Sequence, residues 1–293
     1  MARNIKQILD SLNARGYLRF IPDKIWLQYK YKQLFGKHLD FENPETFNEK
    51  LQWMKLYYRN PLCTAMVDKY EAKKYVADKV GESYIIPTYG VYQSFEDIDF
   101  DKLPNQFVLK CTHDSGGLVI CRNKENFDIK AAKKKIKKCF KRNYFWHGRE
   151  WVYKDIKPRI IVEKYMEDSN IKELIDYKFY CFNGKPEFLY LSHGLENHST
   201  ASISFFDFDF NEKPFYRSDY KRFTEAPEKP TKFSEMVELA AELSKGFPFL
   251  RVDLYQINGN IYFSELTFVP CSGWMPFEPK TADAELGELL ILD

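Results

Sequence analysis

Four polar residues interrupt two apolar runs near the end of the chain: Arg251 and Asp253 in the first run, Glu265 and Thr267 in the second. The runs flank an Asn-Gly pair at 258–259, the strongest short-range signal for a β-hairpin. Residues i and i+2 share a face of a strand, so each run places its two polar groups side by side. Burying a charge without a partner is costly, so polar groups placed together in this way indicate a binding site. Two carboxylates, an arginine and a hydroxyl would suit a divalent metal that holds phosphate oxygens.

The length of the hairpin loop decides whether the two carboxylates meet. With a three-residue loop at 258–260, Asp253 faces Glu265 across the strands. A two-residue loop would set Asp253 against Ser264 and send the two carboxylates to opposite faces of the sheet. The metal hypothesis therefore predicts the three-residue loop or an equivalent bulge. The alternative is a salt-bridged surface ladder, which is disfavoured because the apolar residues between these groups need the other face for the core.

A second candidate site follows the strand-like run that ends at Lys110. Its small polar loop contains Ser115, Gly116 and Gly117, whose backbone N–H groups could approach the oxygens of a polyphosphate while Lys110 supplies positive charge. His113 lies in the same loop and could contact nucleotide or substrate. The loop is not a Walker motif, because no GxxxxGK[ST] sequence precedes a helix. An ordinary hairpin with a long polar tip would explain the same residues.

Two further segments could contact a nucleotide. Residues 160–168 form an apolar strand that runs into alternating charge, and such a strand can pair with the edge of adenine through its backbone while Glu167 accepts from ribose hydroxyls. Asp176 and Lys178 share a strand face, where the lysine could reach phosphates. A strand that meets a solvated turn, and a cross-strand ion pair, would explain these residues as well.

The elements that must position these groups are helical at first and mostly extended later. Residues up to about 80 look helical, with a capping box at 46–49 and a second helix over about 65–80. A lysine-rich segment, 128–142, predicts a helix with a solvated basic face, for which an RNA or anionic-glycan surface is the alternative. The remaining predictions are strands at 84–92, 107–110, 117–122, 159–166 and 201–210, hairpins at 176–191 and 249–270, and helices at 234–245 and 282–290. Antiparallel hairpins dominate, so the predicted fold class is α+β.

Bulk composition excludes several classes of protein. The 293 residues carry 44 basic and 42 acidic side chains, so nothing global indicates nucleic-acid binding. No 18-residue apolar run and no signal peptide is present, and we expect a cytoplasmic protein without a transmembrane segment. The six cysteines and five histidines show no zinc-ligand spacing. They predict reduced thiols and a metal that prefers oxygen ligands.

Taken in order, these segments resemble the ATP-grasp superfamily, and they are most similar to the TupA-like group, typified by the teichuronopeptide-biosynthesis protein. No single motif is diagnostic, but seven in the expected order make chance similarity improbable, and they cover the chain from about residue 40 to its end. The seven are NPETFNEKL at 43–51, DKY at 68–70, VLK with SGG at 108–117, RIIVEKY at 159–165, DYKFYCFNGK at 176–185, RVD at 251–253 and SELTFVP at 264–270.

The resemblance implies an ATP-grasp fold, in which two α+β subdomains with antiparallel sheets sandwich ATP, here preceded by an N-terminal helical segment. The implied divisions are a helical segment at 1–82, a small subdomain with the phosphate loop at 83–160, and a C-terminal subdomain with the metal site at 161–293. For the nucleotide, it implies phosphate contacts from Lys69 and Lys110, a cover from Ser115 to Gly117, and adenine contacts from Glu163, Lys164 and Tyr165. Lys178 would lie near the phosphates as a catalytic residue, together with Arg251.

For the metal, the resemblance implies that Asp253 and Glu265 bind Mg²⁺ and that Arg251 faces the phosphoryl-transfer site. Many members of the superfamily have asparagine where this chain has Thr267, although a hydroxyl can still bind magnesium or its water. From the shared charge of the pair we expect that Asp253→Asn with Glu265→Gln stops turnover with little loss of folding, because removing like charges should not destabilise the protein.

The implied activity is an Mg-ATP-dependent carboxylate–amine ligation through an acyl phosphate, with magnesium and lysines neutralising the transferring group. The TupA-like group adds a setting in the biosynthesis of cell-surface polysaccharide, such as a capsule or other cell-envelope polymer, where a uronic acid could be amidated. The expected partners are a small-molecule or glycan carboxylate and an amine. Two alternatives remain open, an ATP-dependent phosphotransferase with an alcohol acceptor and a non-catalytic glycan-binding or scaffold protein.

Overall fold

The computed structural model describes residues 5–171, 173–194 and 201–292. The chain divides into two compact units. The first unit comprises Met1–Tyr29, Arg59–Lys74 and Ile86–Met166, and the second comprises Lys30–Tyr58, Tyr75–Ile85 and Glu167–Asp293. The predicted division into three consecutive segments stays a prediction. Within the described ranges no helix is long and apolar enough to cross a membrane.

The described helices and strands mix in the way that the α+β prediction requires. The α-helices are α1 (Ile5–Ala14), α2 (Asp23–Phe35), α3 (Phe47–Leu56), α4 (Leu62–Val67), α5 (Glu71–Val80), α6 (Ile129–Phe140), α7 (Phe145–Gly148), α8 (Phe233–Ser244) and α9 (Thr281–Leu289). The strands are β1 (Thr88–Tyr92), β2 (Phe107–Cys111), β3 (Leu118–Cys121), β4 (Ile160–Lys164), β5 (Asp176–Phe182), β6 (Lys185–His193), β7 (Ser202–Phe206), β8 (Tyr216–Arg217), β9 (Phe249–Ile257), β10 (Asn260–Thr267) and β11 (Phe277–Glu278).

The sheet of the first unit has four antiparallel strands in the order β1-β4-β2-β3. Alternate residues of β2 and β4, among them Phe107, Leu109 and Val162, pack against Ile136 of α6 in one buried cluster. Side chains alternate across a strand, so Lys110 and Glu163 lie on the opposite face. The core therefore leaves one face of this sheet for charged groups.

The sheet of the second unit has five antiparallel strands in the order β10-β9-β5-β6-β7, and β8 pairs with β11 beside it. Phe179 of β5 packs against Phe233 of α8, with ring centroids 5.8 Å apart. The preceding residue of β5, Lys178, lies on the other face, where it pairs directly with Asp253 of β9. Helix α8 thus covers one face and leaves the other to the polar residues of β5 and β9.

The predicted capping box is confirmed, whereas one predicted helix and one predicted strand have different bounds in the structure. The capping box is present, since Thr46 Oγ1 accepts from the backbone N–H of Glu49 at 3.3 Å and the Glu49 carboxylate accepts from that of Thr46 at 3.0 Å. The expected helix over 65–80 is interrupted, because Asp68 is extended and its carboxylate caps α5 by accepting from the backbone N–H groups of Tyr70 and Glu71. The expected strand at 84–92 begins only at Thr88, after a short 3-10 turn.

Candidate active site

The β9–β10 hairpin has a two-residue loop, which is not the three-residue loop that was one of the two predicted possibilities. Ile257 pairs with Asn260, which leaves Asn258 and Gly259 as the loop. Both loop residues have positive φ, 49° and 74°. This conformation suits the right-handed twist of the strands and favours Asn-Gly.

A bulge at Ser264 restores the register that the metal hypothesis needs. Phe263 pairs with Leu254, and the next pair along the ladder is Glu265 with Asp253. The extra residue on β10 returns the side chain of Glu265 to the face of Asp253. The bulge that was predicted as the alternative to a longer loop is therefore confirmed.

Asp253 lies wholly buried between two cations on this face. Its carboxylate accepts from Lys178 Nζ at 2.7 Å and from Arg251 Nε and Nη2 at 2.7 and 2.6 Å. Two more carboxylates flank the cations, with Asp176 at 3.3 Å from Lys178 Nζ and Glu265 at 3.5 Å from Arg251 Nη2. Burial alone would raise the pKa of Asp253, but Arg251 and Lys178 outweigh it and hold that pKa below its ordinary value.

The oxygen donors on this face fit a magnesium ion. The described residues contain no cluster of three or more His, Cys, Asp or Glu side chains that could hold a metal by themselves. Mg²⁺ is commonly bound through one or two carboxylates together with phosphates, so Asp253 and Glu265 would suffice. Three hydrogen bonds leave Asp253 about one acceptor position, since a carboxylate offers roughly four. Thr267 Oγ1 is buried and has no hydrogen-bond partner within the described part of the chain, so it can accept or donate one.

In the first unit, Glu163 of β4 is the buried centre of a second charge cluster. Its carboxylate pairs with Lys110 Nζ at 2.6 Å and with Lys73 Nζ. Burial would raise the pKa of Glu163, but the two lysines lower it below its ordinary value. The side chain of Glu163 is therefore committed to these lysines, and its contact with adenine stays a prediction.

Lys164, the last residue of β4, and the residues that follow it make contacts within the protein. The backbone N–H of Lys164 donates to the carbonyl of Pro87 at 2.9 Å, although its side chain is exposed. The hydroxyl of Tyr165 accepts from Arg122 Nε at 3.3 Å. Glu167 is exposed, and its carbonyl accepts from Asn258 Nδ2 at 3.3 Å.

Lys69 and His113 hold the loop after β2. Lys69 Nζ donates to the carbonyl of Asp114 at 2.9 Å, and the backbone N–H of Lys69 donates to the carbonyl of Thr112 at 3.1 Å. His113 is buried, with Nε2 3.3 Å from the carbonyl of Cys139, and burial lowers its pKa. Both residues therefore have a structural role in positioning the loop, while the phosphate contact of Lys69 and the nucleotide or substrate contact of His113 stay predictions.

The tip of this loop is open, whereas its end is tightly packed. Ser115 and Gly116 are exposed, as a cover over phosphates requires. A Cβ atom added at Gly117 would lie 2.8 Å from Cys111 Cβ and Sγ, closer than real Cβ atoms approach. A glycine is needed at 117 for this close approach of loop to strand.

Sequence reasoning missed Lys73, which is buried and also donates to the carbonyl of Ile86 at 2.7 Å and to Thr88 Oγ1 at 3.0 Å. One signal was available, because Lys73 lies three residues before Val76 on the buried stripe of α5. The pairing of Arg142 with Asp114 was missed as well, and no sequence pattern marks it.

The model of the TupA-like ATP-grasp family matches residues 49–291. The chain belongs to this family. The match confirms the expected family and the expected ATP-grasp fold class. No curated protein sequence matches the chain.

Among solved structures, the ATP complex of D-alanine–D-alanine ligase from Bacillus anthracis is 16% identical with a TM-score of 0.39, over 84% of this chain and 62% of that one. D-alanine–D-alanine ligase from Helicobacter pylori is 13% identical with a TM-score of 0.45, over 85% and 70%. The ATP-grasp ligase PsnB, complexed with a phosphomimetic variant of its minimal precursor, Mg and ADP, is 11% identical with a TM-score of 0.40, over 75% and 57%. The chain thus spans less than two thirds of the length of the first of these proteins.

Proposed function

We propose that the protein is an Mg-ATP-dependent ligase that joins a carboxylate to an amine. Membership of the TupA-like ATP-grasp family supports this class of reaction. The observation that carries the proposal is the bulge at Ser264, which brings Glu265 onto the face of Asp253. A bulge in the middle of a hairpin interrupts its ladder, and such bulges are frequent beside active sites, where they redirect a side chain.

The charges of the second unit favour a divalent metal. Lys178 and Arg251 contribute two positive charges, while Asp176, Asp253 and Glu265 contribute three negative ones, so the cluster has a formal charge of −1. A divalent cation would change this to +1 and so attract phosphate oxygens. Mg²⁺, when bound, supplies Lewis-acid polarisation of those oxygens.

Five side chains in this unit would act around the metal. Asp253 and Glu265 would bind it, and the hydroxyl of Thr267 would bind it or orient its water. Arg251, held by Asp253, would donate to the transferring phosphoryl group, since a preorganised cation stabilises developing negative charge without reorganising. Lys178 would act in the same way, fixed between Asp253 and Asp176.

In the first unit, Lys110 would bind phosphate oxygens of ATP, the nucleotide for which the family is named. The cluster of Lys73, Lys110 and Glu163 has a formal charge of +1, which suits an anion. Lys69 and His113 would position the loop, and Ser115 to Gly117 would cover the phosphates. Lys164, Tyr165 and Glu167 would contact the adenosine portion, with Glu163 contributing only its backbone.

The reaction proposed has two steps. A carboxylate oxygen of the substrate attacks the γ-phosphorus of ATP, and ADP leaves, which forms an acyl phosphate. The amine nitrogen then attacks the acyl carbon, phosphate leaves with the former carboxylate oxygen, and the nitrogen loses a proton. From the family we further propose that the carboxylate belongs to a uronic acid or related sugar acid of a cell-surface polysaccharide.

An isotope experiment tests this chemistry. The protein is incubated with ATP, MgCl₂, an amine panel and uronic acids labelled with ¹⁸O in the carboxylate, and ADP and phosphate are analysed by mass spectrometry. We expect ADP, and phosphate that carries one ¹⁸O atom only when both substrates are present. The variant Glu265→Gln should abolish both, while the matched control Glu285→Gln, an exposed glutamate of α9, should not.

Other outcomes would contradict the proposal. ADP with a phosphorylated product and no free phosphate would identify a phosphotransferase. Absence of ATP binding by calorimetry would leave a glycan-binding or scaffold protein.

A further inference from the structure

Lys73 and Lys110 share one buried carboxylate, but Lys110 is the more exposed of the two. The side chain of Lys110 is 25% exposed, and that of Lys73 is 9% exposed. Besides Glu163, Lys73 Nζ contacts the carbonyl of Ile86 and Thr88 Oγ1, so its three donors all have acceptors inside the first unit. An ammonium group has three N–H donors, so Lys73 has none left for a nucleotide.

We propose that Lys73 is a positioning residue for ATP binding, which balances the charge of Glu163 so that Lys110 presents its positive charge to the phosphates. The inference rests on the proposed function, because it assumes that Lys110 binds ATP.

The charge arithmetic explains why a second lysine is needed. With Lys73 present, Glu163 orients Lys110 through a charge-assisted hydrogen bond while the cluster keeps a charge of +1. Without Lys73, the pair of Glu163 and Lys110 would be neutral. Lys110 would then have to balance the buried carboxylate by itself, and moving its ammonium towards a phosphate would leave that carboxylate unpaired.

The alternative is that Lys73 only supports folding by pairing with a buried charge. The two roles make different predictions for a double substitution. Replacing Lys73 by Met and Glu163 by Gln together removes one positive and one negative charge, which leaves the +1 charge of Lys110. If charge balance is what Lys73 supplies, this double variant should bind ATP better than the single variant Lys73→Met.

Calorimetric titration with ATP and MgCl₂ tests the proposal on the intact chain, after circular dichroism has confirmed folding of each variant. We expect Lys73→Met to raise the Kd for ATP about tenfold or more, as loss of a charged hydrogen bond does. The double variant Lys73→Met/Glu163→Gln should return to within about threefold of the wild-type value. The matched control Lys74→Met removes the same charge from an exposed position of the same helix and should leave the Kd unchanged.

Two results would overturn the inference. The first is a wild-type Kd in folded Lys73→Met, which would make Lys73 merely structural. The second is a double variant that binds ATP as weakly as Lys73→Met or more weakly, which would indicate that Lys73 itself contacts the nucleotide. If Lys73→Met does not fold, weak ATP binding by the double variant alone decides against the proposal. Failure of the wild-type protein to bind ATP would instead refute the proposed function.

Discussion

The two carboxylates proposed to bind the metal should differ sharply in what they contribute to folding. Asp253 is fully buried and pairs with Lys178 and Arg251, whereas the side chain of Glu265 is 33% exposed and lies 3.5 Å from Arg251. We therefore expect Asp253→Asn to destabilise the protein strongly and Glu265→Gln to leave its stability almost unchanged. The structure thereby replaces the expectation that the loss of both carboxylates is harmless to folding.

The magnitude follows from the partners that remain. Removing one member of a buried ion pair costs about 3–5 kcal/mol, because the other charge stays buried without compensation. Asp176 still lies near Lys178, and Glu265 still lies near Arg251, so we expect a cost at the lower end, about 3 kcal/mol for Asp253→Asn. For Glu265→Gln the expected cost is smaller, about 1 kcal/mol, because its partly exposed carboxylate is screened by solvent and lies 3.5 Å from Arg251, which keeps Asp253 as its partner.

The assay is hydrogen exchange in increasing urea, read on peptides from β5 and β9 so that it reports on the second unit. A loss of about 3 kcal/mol should lower the urea midpoint by roughly 1 M or more. The control Asp253→Asn/Lys178→Met removes both charges of a pair and should be more stable than Asp253→Asn alone. A cost below about 1 kcal/mol for Asp253→Asn, or equal costs for the two single variants, would refute the argument that this carboxylate balances buried cations.

Three further predictions concern Thr267, Gly117 and the buried carboxyls of Glu163 and Asp253. Thr267→Val should leave the urea midpoint unchanged or raise it, because it removes a buried hydroxyl that has no hydrogen-bond partner among the described residues. Steady-state kinetics of the same variant should nevertheless show a lower kcat and a higher requirement for Mg²⁺. Gly117→Ala should cost about 1–3 kcal/mol in the free energy of unfolding, measured in urea, because the new methyl group overlaps Cys111. Neighbouring lysines and arginine hold the pKa values of Glu163 and Asp253 below ordinary carboxyl values despite burial. This stabilisation is complete above the unfolded pKa of about 4, and it is lost as the pH falls through the pKa values of the two carboxyls in the folded protein. The urea midpoint should therefore fall steeply below about pH 4. In Asp253→Asn the fall should be less steep, because one of the two carboxyls is gone.

The polar face of the last hairpin was predictable from sequence because alternation fixes which side chains share a face. The Asn-Gly pair located the turn, and the need to bury the intervening apolar residues showed that the carboxylates had to meet. The loop geometry that pairs Asp253 with Glu265 was not predictable. A two-residue loop with a bulge at Ser264 and a three-residue loop give the same pairing of Asp253 with Glu265, and only the ladder distinguishes them.

The partners of the charged residues were less accessible to sequence reasoning. Lys69 and Lys110 were recognised as cations near a loop, but the break at Asp68 changes where the following helix begins, and with it the position of Lys73. The contacts of Lys73 with Glu163 join segments that are 90 residues apart, and neither local propensity nor periodicity carries information over that separation. The sequence therefore identified Glu163 and Asp253 as candidate site residues, but it did not predict how many cations surround each carboxylate.

Each unit places a buried carboxylate between two cations, with Glu163 between Lys73 and Lys110, and Asp253 between Lys178 and Arg251. Stability gives little reason for such an arrangement, since well-packed apolar residues are often as good as a buried ion pair or better. What the arrangement does provide is a cation in a fixed position, already desolvated and oriented before a phosphate arrives. Free lysines on a surface would have to lose conformational freedom and water at the moment of binding. The cost of burying these charges is therefore most simply explained as the cost of preorganisation for an anionic ligand.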